Sequence, residues 1–462
     1  MKLTFFGAAR DVTGSCIHLY HDGIEILIDC GMHQGIKAEK LNNTPFSFNP
    51  AKISYLILTH AHLDHSGLIP KLVKEGFKGR IFTTPATRDL AEILLYDSAH
   101  IQEKDAEWLT RKNLRKGRTT VVEPVYKVED VLASLPYFEN VPYGLIRSLD
   151  KGIRFRLIDA GHILGSASVE LWFKDETTRK EKKIVFSGDI GKSGNPLIED
   201  PTNIEKADYI CIESTYGDRF HKNLSDTVEE LREAVSETLR KEGNVLIPAF
   251  SVGRTQDVLF VLHNLAKENK LKNLNIFVDS PLAEKATQVY LSHVEMLEKN
   301  VDLAFLYKNS ENYRIHFTKS VEESQRLNAI KSGAIIIAGS GMCEGGRIRH
   351  HMKHNIWRPE CSVIFTGFQA KGTLGRLIVD GAKKAKILGE EIVIRSKIFT
   401  IGGFSAHADQ KELLEWLGKV KTDPMVFINH GEEKASLEFE KKVVETLRMV
   451  TKVPSLGDSY EL

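Results

Sequence analysis

Cysteine is scarce in this chain of 462 residues, which has only Cys16, Cys30, Cys211, Cys343 and Cys361. The number is odd, the positions are scattered and no Cys-x-x-Cys pair occurs. That argues against a disulfide framework and a zinc ribbon, and fits a reducing cytoplasm. Net charge is almost absent, +1 at pH 7, so the chain is not polybasic and any grip on nucleic acid has to be local. Long apolar runs are missing as well. Residues 1–9 hold one lysine and a short apolar stretch before Arg10 and Asp11, too short for a signal peptide, and no later run approaches membrane-spanning length. A soluble, cytoplasmic protein is expected. The length exceeds one ordinary core, so two domains, or one interrupted by another, are expected too.

What the chain does have in unusual density is metal-ligand chemistry. His60-Ala61-His62-Leu63-Asp64-His65 sets four potential metal ligands in six positions, directly behind residues 53–59, an apolar, β-branched run with the pattern of a buried strand. Imidazoles suit zinc, and a carboxylate among them adds the negative charge that holds a divalent ion. A polar turn that merely happened to be rich in histidine would have no reason to sit between a buried strand and Ser66-Gly67-Leu68-Ile69-Pro70.

The first 205 residues are dense in short strand candidates, at 2–6, 16–20, 24–29, 53–59, 80–83, 153–159, 168–173 and 183–187, with Asp22-Gly23 as a hairpin turn. Residues 99–121, with the charge run from Arg111 to Arg118, read as a solvated helix face. From about Ala207 strands alternate with helices. Strands are expected at 209–213, 244–248, 275–279, 334–338 and 362–366, with helices capped at Ser225 or Asp226 and running from about Arg254 to Leu265. Such alternation implies a mostly parallel sheet covered on both faces. Three Gly-rich loops in this region follow strands and carry Ser251 and Arg254, Ser340 and Gly341, and Lys371, Thr373 and Arg376. Glycine lets backbone N–H groups approach an anion, which makes these loops candidate phosphate contacts.

Further ligands for a two-ion site should come from other strand ends. His162 in Ala160-Gly161-His162, Asp189 in Ser187-Gly188-Asp189 and His430 in Asn429-His430-Gly431 each sit beside glycine after a strand.

The set resembles the metallo-β-lactamase superfamily in its β-CASP ribonuclease branch. Asp29 matches the first signature, residues 60–65 the second, His162 the third and Asp189 the fourth; Glu213, His407 and His430 match the branch's motifs A, B and C. The resemblance implies an α/β fold, a metallo-β-lactamase αββα sandwich with an inserted β-CASP domain, divided as 1–205, 206–398 and 399–462. It implies two Zn2+ per chain, one held by His60, His62 and His162, the other by Asp64, His65 and His430, with Asp189 bridging and Asp29 supporting the turn. It gives His407, Glu213 and Asp64 catalytic duty, His407 as general acid oriented by Glu213. Two ions roughly 3.5 to 4 Å apart would activate a shared hydroxide for in-line attack on phosphorus.

A histidine at motif C points to RNA rather than DNA. The stretch around His407 resembles the cleavage and polyadenylation specificity factor type more than ribonuclease J, where Ser-Gly-His is usual. No KH-type RNA-binding domain precedes Lys2, so substrate selection is expected in the interdomain cleft or in a partner. The expected activity is endonucleolytic cutting of single-stranded RNA, leaving 5′-phosphate and 3′-hydroxyl ends. A 5′→3′ exoribonuclease is the alternative, followed by a small-molecule metallo-hydrolase such as a thioesterase or lactamase, and a non-catalytic scaffold, against which the intact ligand set argues. Related enzymes pair through their C-terminal regions, which suggests a homodimer.

Overall fold

The computed structural model describes every residue except 36, 37, 300, 309, 368 and 371. Two compact units emerge. One comprises residues 1–193, 200–220 and 407–462, the other residues 194–199 and 221–406.

The first unit holds two seven-stranded sheets. One runs, in spatial order, Ser459–Glu461, Lys2–Phe5, Ile17–His21, Ile24–Ile28, Tyr55–Ile57, Arg80–Thr83 and Phe138–Asn140. The other runs Val450–Lys452, Met425–Ile428, Tyr209–Ile212, Glu181–Phe186, Ala167–Lys174, Arg154–Asp159 and Arg147–Ser148. Period-2 alternation explains how they layer. Ile26, Ile28, Ile57, Ile184, Phe186, Cys211 and Phe427 share one core. Their neighbours Val185, Ile210, Ile212, Val426 and Ile428 point the other way, into a second core with Leu413, Trp416 and Phe439 of the helices Gln410–Gly418 and Glu433–Leu447. Leu27 and Leu56 are likewise buried on the opposite face from Ile26, Ile28 and Ile57. Both sheets therefore bury two faces, the condition for helix, sheet, sheet and helix layers.

The strand ends match the sequence reading within about two residues, and Asp22 and Gly23 both take positive φ in the hairpin turn. Several features differ. Tyr209–Ile212, expected to open the alternating region, pairs parallel with Glu181–Phe186 and Met425–Ile428 and so belongs to the sandwich. Strands Phe138–Asn140, Val450–Lys452 and Ser459–Glu461 are too short to carry a periodic signal. The polar segment at 99–115 continues a single helix, Pro85–Arg115.

The second unit is built on a six-stranded sheet in which every pairing is parallel: Tyr313–Phe317, Leu274–Val278, Ala334–Ala338, Val245–Pro248, Ser362–Phe365 and Lys397–Thr400. All five residues of Ala334–Ala338 are buried, as a strand covered on both faces requires. Asn223, rather than Ser225 or Asp226, caps the helix Leu224–Arg240, because its side-chain oxygen accepts from the Asp226 N–H.

Candidate metal centre

All ten residues that the sequence nominates for metal binding and catalysis lie in the first unit, in loops that leave its strands. After Tyr55–Ile57 the chain reaches His60 and turns at His62 into the short helix Leu63–Ser66. The loop at 29–32 clamps this turn through its backbone: Cys30 N–H donates to the His65 carbonyl and Met32 N–H to that of Leu63, each at 2.8 Å, as Ser15 N–H does to that of Asp64. Gly31 permits the approach, since a Cβ there would lie 1.6 Å from the Asp64 carbonyl oxygen. Gly191 has the same purpose between the next two loops. A Cβ on it would lie 1.6 Å from the Gly161 carbonyl oxygen, beside His162. His430 follows Met425–Ile428 with φ of 50° and is tethered by its N–H to the Ala8 carbonyl at 2.7 Å.

These loops converge on two groups of donors joined by one carboxylate. His60, His62, His162 and Asp189 form one, and Asp64, His65 and His430 the other, each with its donor atoms within 4.8 Å of one another. In the first, His62 Nδ1 lies 3.1 Å from His60 Nε2 and 3.2 Å from His162 Nε2. Asp189 Oδ2 is 3.4 Å from His60 Nε2 and 3.5 Å from His162 Nε2. The other oxygen, Oδ1, turns to the second group, 3.3 Å from His65 Nε2 and 3.5 Å from His430 Nδ1. Asp64 is the outermost member, 3.9 Å from His430 Nε2.

Behind the donors, Asp29 accepts from Thr59 N–H at 2.8 Å, from the Thr59 hydroxyl at 2.9 Å and from His65 Nδ1 at 2.7 Å. The Thr59 hydroxyl, already donating to Asp29, is left to accept from His60 Nδ1 at 3.1 Å. Both contacts fix the tautomers that leave the Nε2 lone pairs of His60 and His65 facing inward. Thr59 was not among the residues singled out from the sequence; a hydroxyl at the end of the strand before the first histidine was the available signal.

Charge follows from this enclosure. Burial pushes His60 well below the ordinary imidazole range and lowers His62. Burial would lower His65 too, but the Asp189 and Asp29 carboxylates outweigh it and raise that group well above its usual value. Burial would raise Asp189, yet His430 and His65 hold its carboxyl far below the usual range. The negative charge that Asp29 and Asp189 gather around His65 suits a cation there, a proton or a bound metal.

The residues present fit a divalent ion. Asp189 Oδ1 is buried with no hydrogen-bond partner among the described residues. His65 Nε2 and His430 Nε2 face each other at 3.0 Å, where two lone pairs would repel without a cation or proton to share. Imidazole nitrogens with carboxylate oxygens suit zinc and its first-row neighbours.

Next to this cluster His407 Nδ1 meets Glu213 Oε2 at 3.1 Å and lies 3.8 Å from Asp189 Oδ2. Burial lowers the His407 imidazole, but Glu213 and Asp189 outweigh it and push it up to about 9. Glu213 is itself held by the Ile190 N–H on Oε1 and by its own N–H to the Ser187 hydroxyl. His407 keeps 23% of its side chain exposed, against 0% for Glu213 and 1% for Asp189, so it can meet a substrate while its two partners cannot.

The nominated phosphate contacts lie in the second unit. Ser251, Ser340 and Thr373 follow three strands adjacent in the sheet, so their loops share one edge. Gln369 donates to the Gly341 carbonyl at 3.0 Å, and Gly375 N–H to that of Met342 at 3.1 Å. Local duties already engage several of them. The Thr373 hydroxyl caps the helix Leu374–Val379, Arg376 pairs with Asp380 at 2.8 Å, and Arg254 is buried near the Phe404 ring. Lys371 lies outside the described residues.

The sandwich, its inserted parallel sheet and this donor set agree with three family models: the metallo-beta-lactamase superfamily over residues 9–97, the Beta-Casp domain over 255–378, and the Zn-dependent metallo-hydrolase RNA specificity domain over 391–454. The chain is 37% identical over 444 residues to Ribonuclease TTHA0252 of Thermus thermophilus, covering 96% of this chain and 95% of that protein. It is 33% identical to an RNase J-like protein of Methanocaldococcus jannaschii, covering 98% of each. It is 30% identical to the transcription termination factor FttA of Thermococcus kodakarensis, covering all of this chain and 71% of that one. A crystal structure of a protein of unknown function from Enterococcus faecalis V583 shares the fold, with a TM-score of 0.57 at 11% identity over 100% of this chain and 99% of that one. The chain belongs to the β-CASP ribonuclease branch of the metallo-β-lactamase superfamily, whose members are metal-dependent hydrolases. No helix among the described residues is long and apolar enough to cross a membrane.

Proposed function

We propose that this chain is a zinc-dependent endoribonuclease that hydrolyses single-stranded RNA and leaves 5′-phosphate and 3′-hydroxyl ends. The observation that carries the reading is Asp189, whose two carboxylate oxygens face two separate clusters of imidazoles. In this reading His60, His62 and His162 would hold one ion and Asp64, His65 and His430 the other, with Asp189 shared between the two groups. When bound, the two ions supply an acidified water and Lewis-acid neutralisation of the charge that builds on phosphorus.

The chain's own residues supply the rest. Glu213 holds the Nδ1 proton of His407, which leaves the Nε2 edge of an imidazolium to protonate the departing 3′-oxygen. Asp29 and Thr59 keep His60 and His65 in the orientation the ions need. Ser251, Arg254, Ser340, Gly341, Lys371, Thr373 and Arg376 are proposed to contact the RNA backbone.

A 5′→3′ exoribonuclease is the second reading, favoured by the RNase J-like relative. Comparing a circular RNA with a 5′-labelled linear one separates the two, since only an endonuclease opens the circle. His407→Ala should lose cutting by about 10²–10⁴-fold with folding retained; a fully active variant would remove His407 from the mechanism. A cytoplasmic homodimer belongs to the same proposal, checked by cell fractionation and sedimentation.

A further inference from the structure

The helix Pro85–Arg115 starts against the loop that carries His162 and ends far from that loop. At its first turn Thr84 and Thr87 both donate to the Gly165 carbonyl at 2.7 Å, in the loop that carries His162. At ~1.5 Å per residue, position 111 stands about 40 Å from that end. The first half of the helix buries Leu90, Ala91, Leu95 and Ala99; after Ala106 the helix has no buried residue.

Beyond that point the helix carries an unusual stripe. Trp108, Arg111, Lys112 and Arg115 stand three, four and seven positions apart and so share one face. All four are exposed, Trp108 by 59%, with the Lys112 ammonium 4.6 Å from its ring centroid. The returning chain packs elsewhere: Thr110 accepts from Val122 N–H, Gln102 from Val125 N–H, and Asn113 donates to the Thr120 carbonyl. This return pins the helix end and leaves the stripe open. Residues 107–121 hold five cations and a single acid in a chain whose net charge is +1. That acid, Glu107, pairs loosely with Lys104 at 3.7 Å and Arg111 at 3.6 Å. Exposed pairs of this kind hold little energy and yield to a polyanion.

We propose that this stripe is a second docking site for the single-stranded RNA, remote from the metal centre, with Trp108 stacking on a base and Arg111, Lys112 and Arg115 meeting phosphates. It rests on the reading of the chain as a ribonuclease for single-stranded RNA. An exposed aromatic among cations is the combination that binds single strands without sequence preference. The separation also sets a length rule. At about 3.4 Å per stacked nucleotide, a stacked RNA covers that distance with about 12 nucleotides, and a fully extended strand, at roughly twice that rise, still needs about 6.

The test compares the wild-type chain with Trp108→Ala and with the triple variant Arg111→Gln, Lys112→Gln, Arg115→Gln, on RNAs of about 30 and about 5 nucleotides. With the long RNA, KM should rise about fivefold or more for Trp108→Ala while kcat holds. With the triple variant, the slope of log affinity against log salt should fall by about 2. With the short RNA neither variant should differ from wild type, and Trp108→Phe should restore the long-RNA KM. Unchanged KM on the long RNA, or an equal loss on both lengths, would overturn the site. So would variants that lose binding to anionic lipid vesicles but keep long-RNA binding. If the wild-type chain cuts neither RNA, the ribonuclease reading fails by itself. Fluorescence anisotropy of the long RNA with chelator present still decides the stripe: weaker binding by both variants supports it, and equal binding refutes it.

Discussion

Replacing Asp29 by asparagine changes one oxygen to an NH2 and keeps the shape, and its effect can be followed atom by atom. If the remaining oxygen keeps the Thr59 N–H at 2.8 Å, the new NH2 faces the Thr59 hydroxyl and His65 Nδ1, 2.9 and 2.7 Å from the atom it replaces. A donor there forces His65 to accept at Nδ1 and to carry its proton on Nε2, the atom that faces Asp189 and His430. The loss of a charge-assisted hydrogen bond should lower unfolding free energy by about 2 kcal/mol. The blocked Nε2 should weaken one of the two proposed metal sites by about 10–100-fold. Calorimetric titration of zinc into chelator-stripped protein would show one site of wild-type affinity and one weakened, and 15N shifts of labelled histidine would report the tautomer. Two sites of wild-type affinity in Asp29→Asn would refute the argument that Asp29 acts through His65.

Three other outcomes follow from the same packing. Gly31→Ala should lose about 3 kcal/mol or more, and metal with it, because a Cβ 1.6 Å from a backbone carbonyl forces two loops apart; urea unfolding and metal content check this. Asp257, raised by burial from 3.8 to about 6 despite Arg254 and Asn195, binds its proton more tightly in the folded state, so its ionisation costs stability as pH rises from about 4 to about 6. Asp257→Asn should then gain up to ~3 kcal/mol over wild type at pH 7 and little at pH 4, read by urea unfolding at both values. In stripped protein the raised pKa of His65 between Asp29 and Asp189 contributes stability at low pH that is lost as pH climbs past the ordinary imidazole range. Thermal melts across pH should show that loss without metal and not with it.

The sequence was most legible where one short segment carried several ligands. Residues 60–65 announced a metal by density alone, and the alternation in 244–248, 334–338 and 362–366 announced a parallel sheet because both faces of those strands are buried. Read locally, His162, Asp189 and His430 were legible as residues beside glycine at strand ends, and their grouping came from the family resemblance, since nothing local says that positions 65 and 430 come within 3.0 Å. Thr59 stayed silent because a threonine at a strand end is ordinary until its hydroxyl is seen between Asp29 and His60. Tyr209–Ile212 was misread because its apolar run suits either sheet; what assigns it is pairing with Met425–Ile428, more than two hundred residues away.

That pairing also explains why the site is completed late in the sequence. Tyr209–Ile212 lies between Glu181–Phe186 and Met425–Ile428, so the loops after these three strands, with Asp189, Glu213 and His430, leave neighbouring strands of one sheet. The three strands run parallel, which puts their exits at the same end. Asp189 can thus share its two oxygens between ligand groups, while Glu213 holds His407 beside it, only when the last stretch of the sandwich has returned to its edge. In the full chain, His430→Ala removes a donor from the second group only and leaves His60, His62, His162 and Asp189 in place. It should keep one metal group of wild-type affinity, weaken the second and lose hydrolysis; zinc titration of the variant and the wild-type chain measures the difference, and two ions of wild-type affinity on the variant would contradict the assignment of His430.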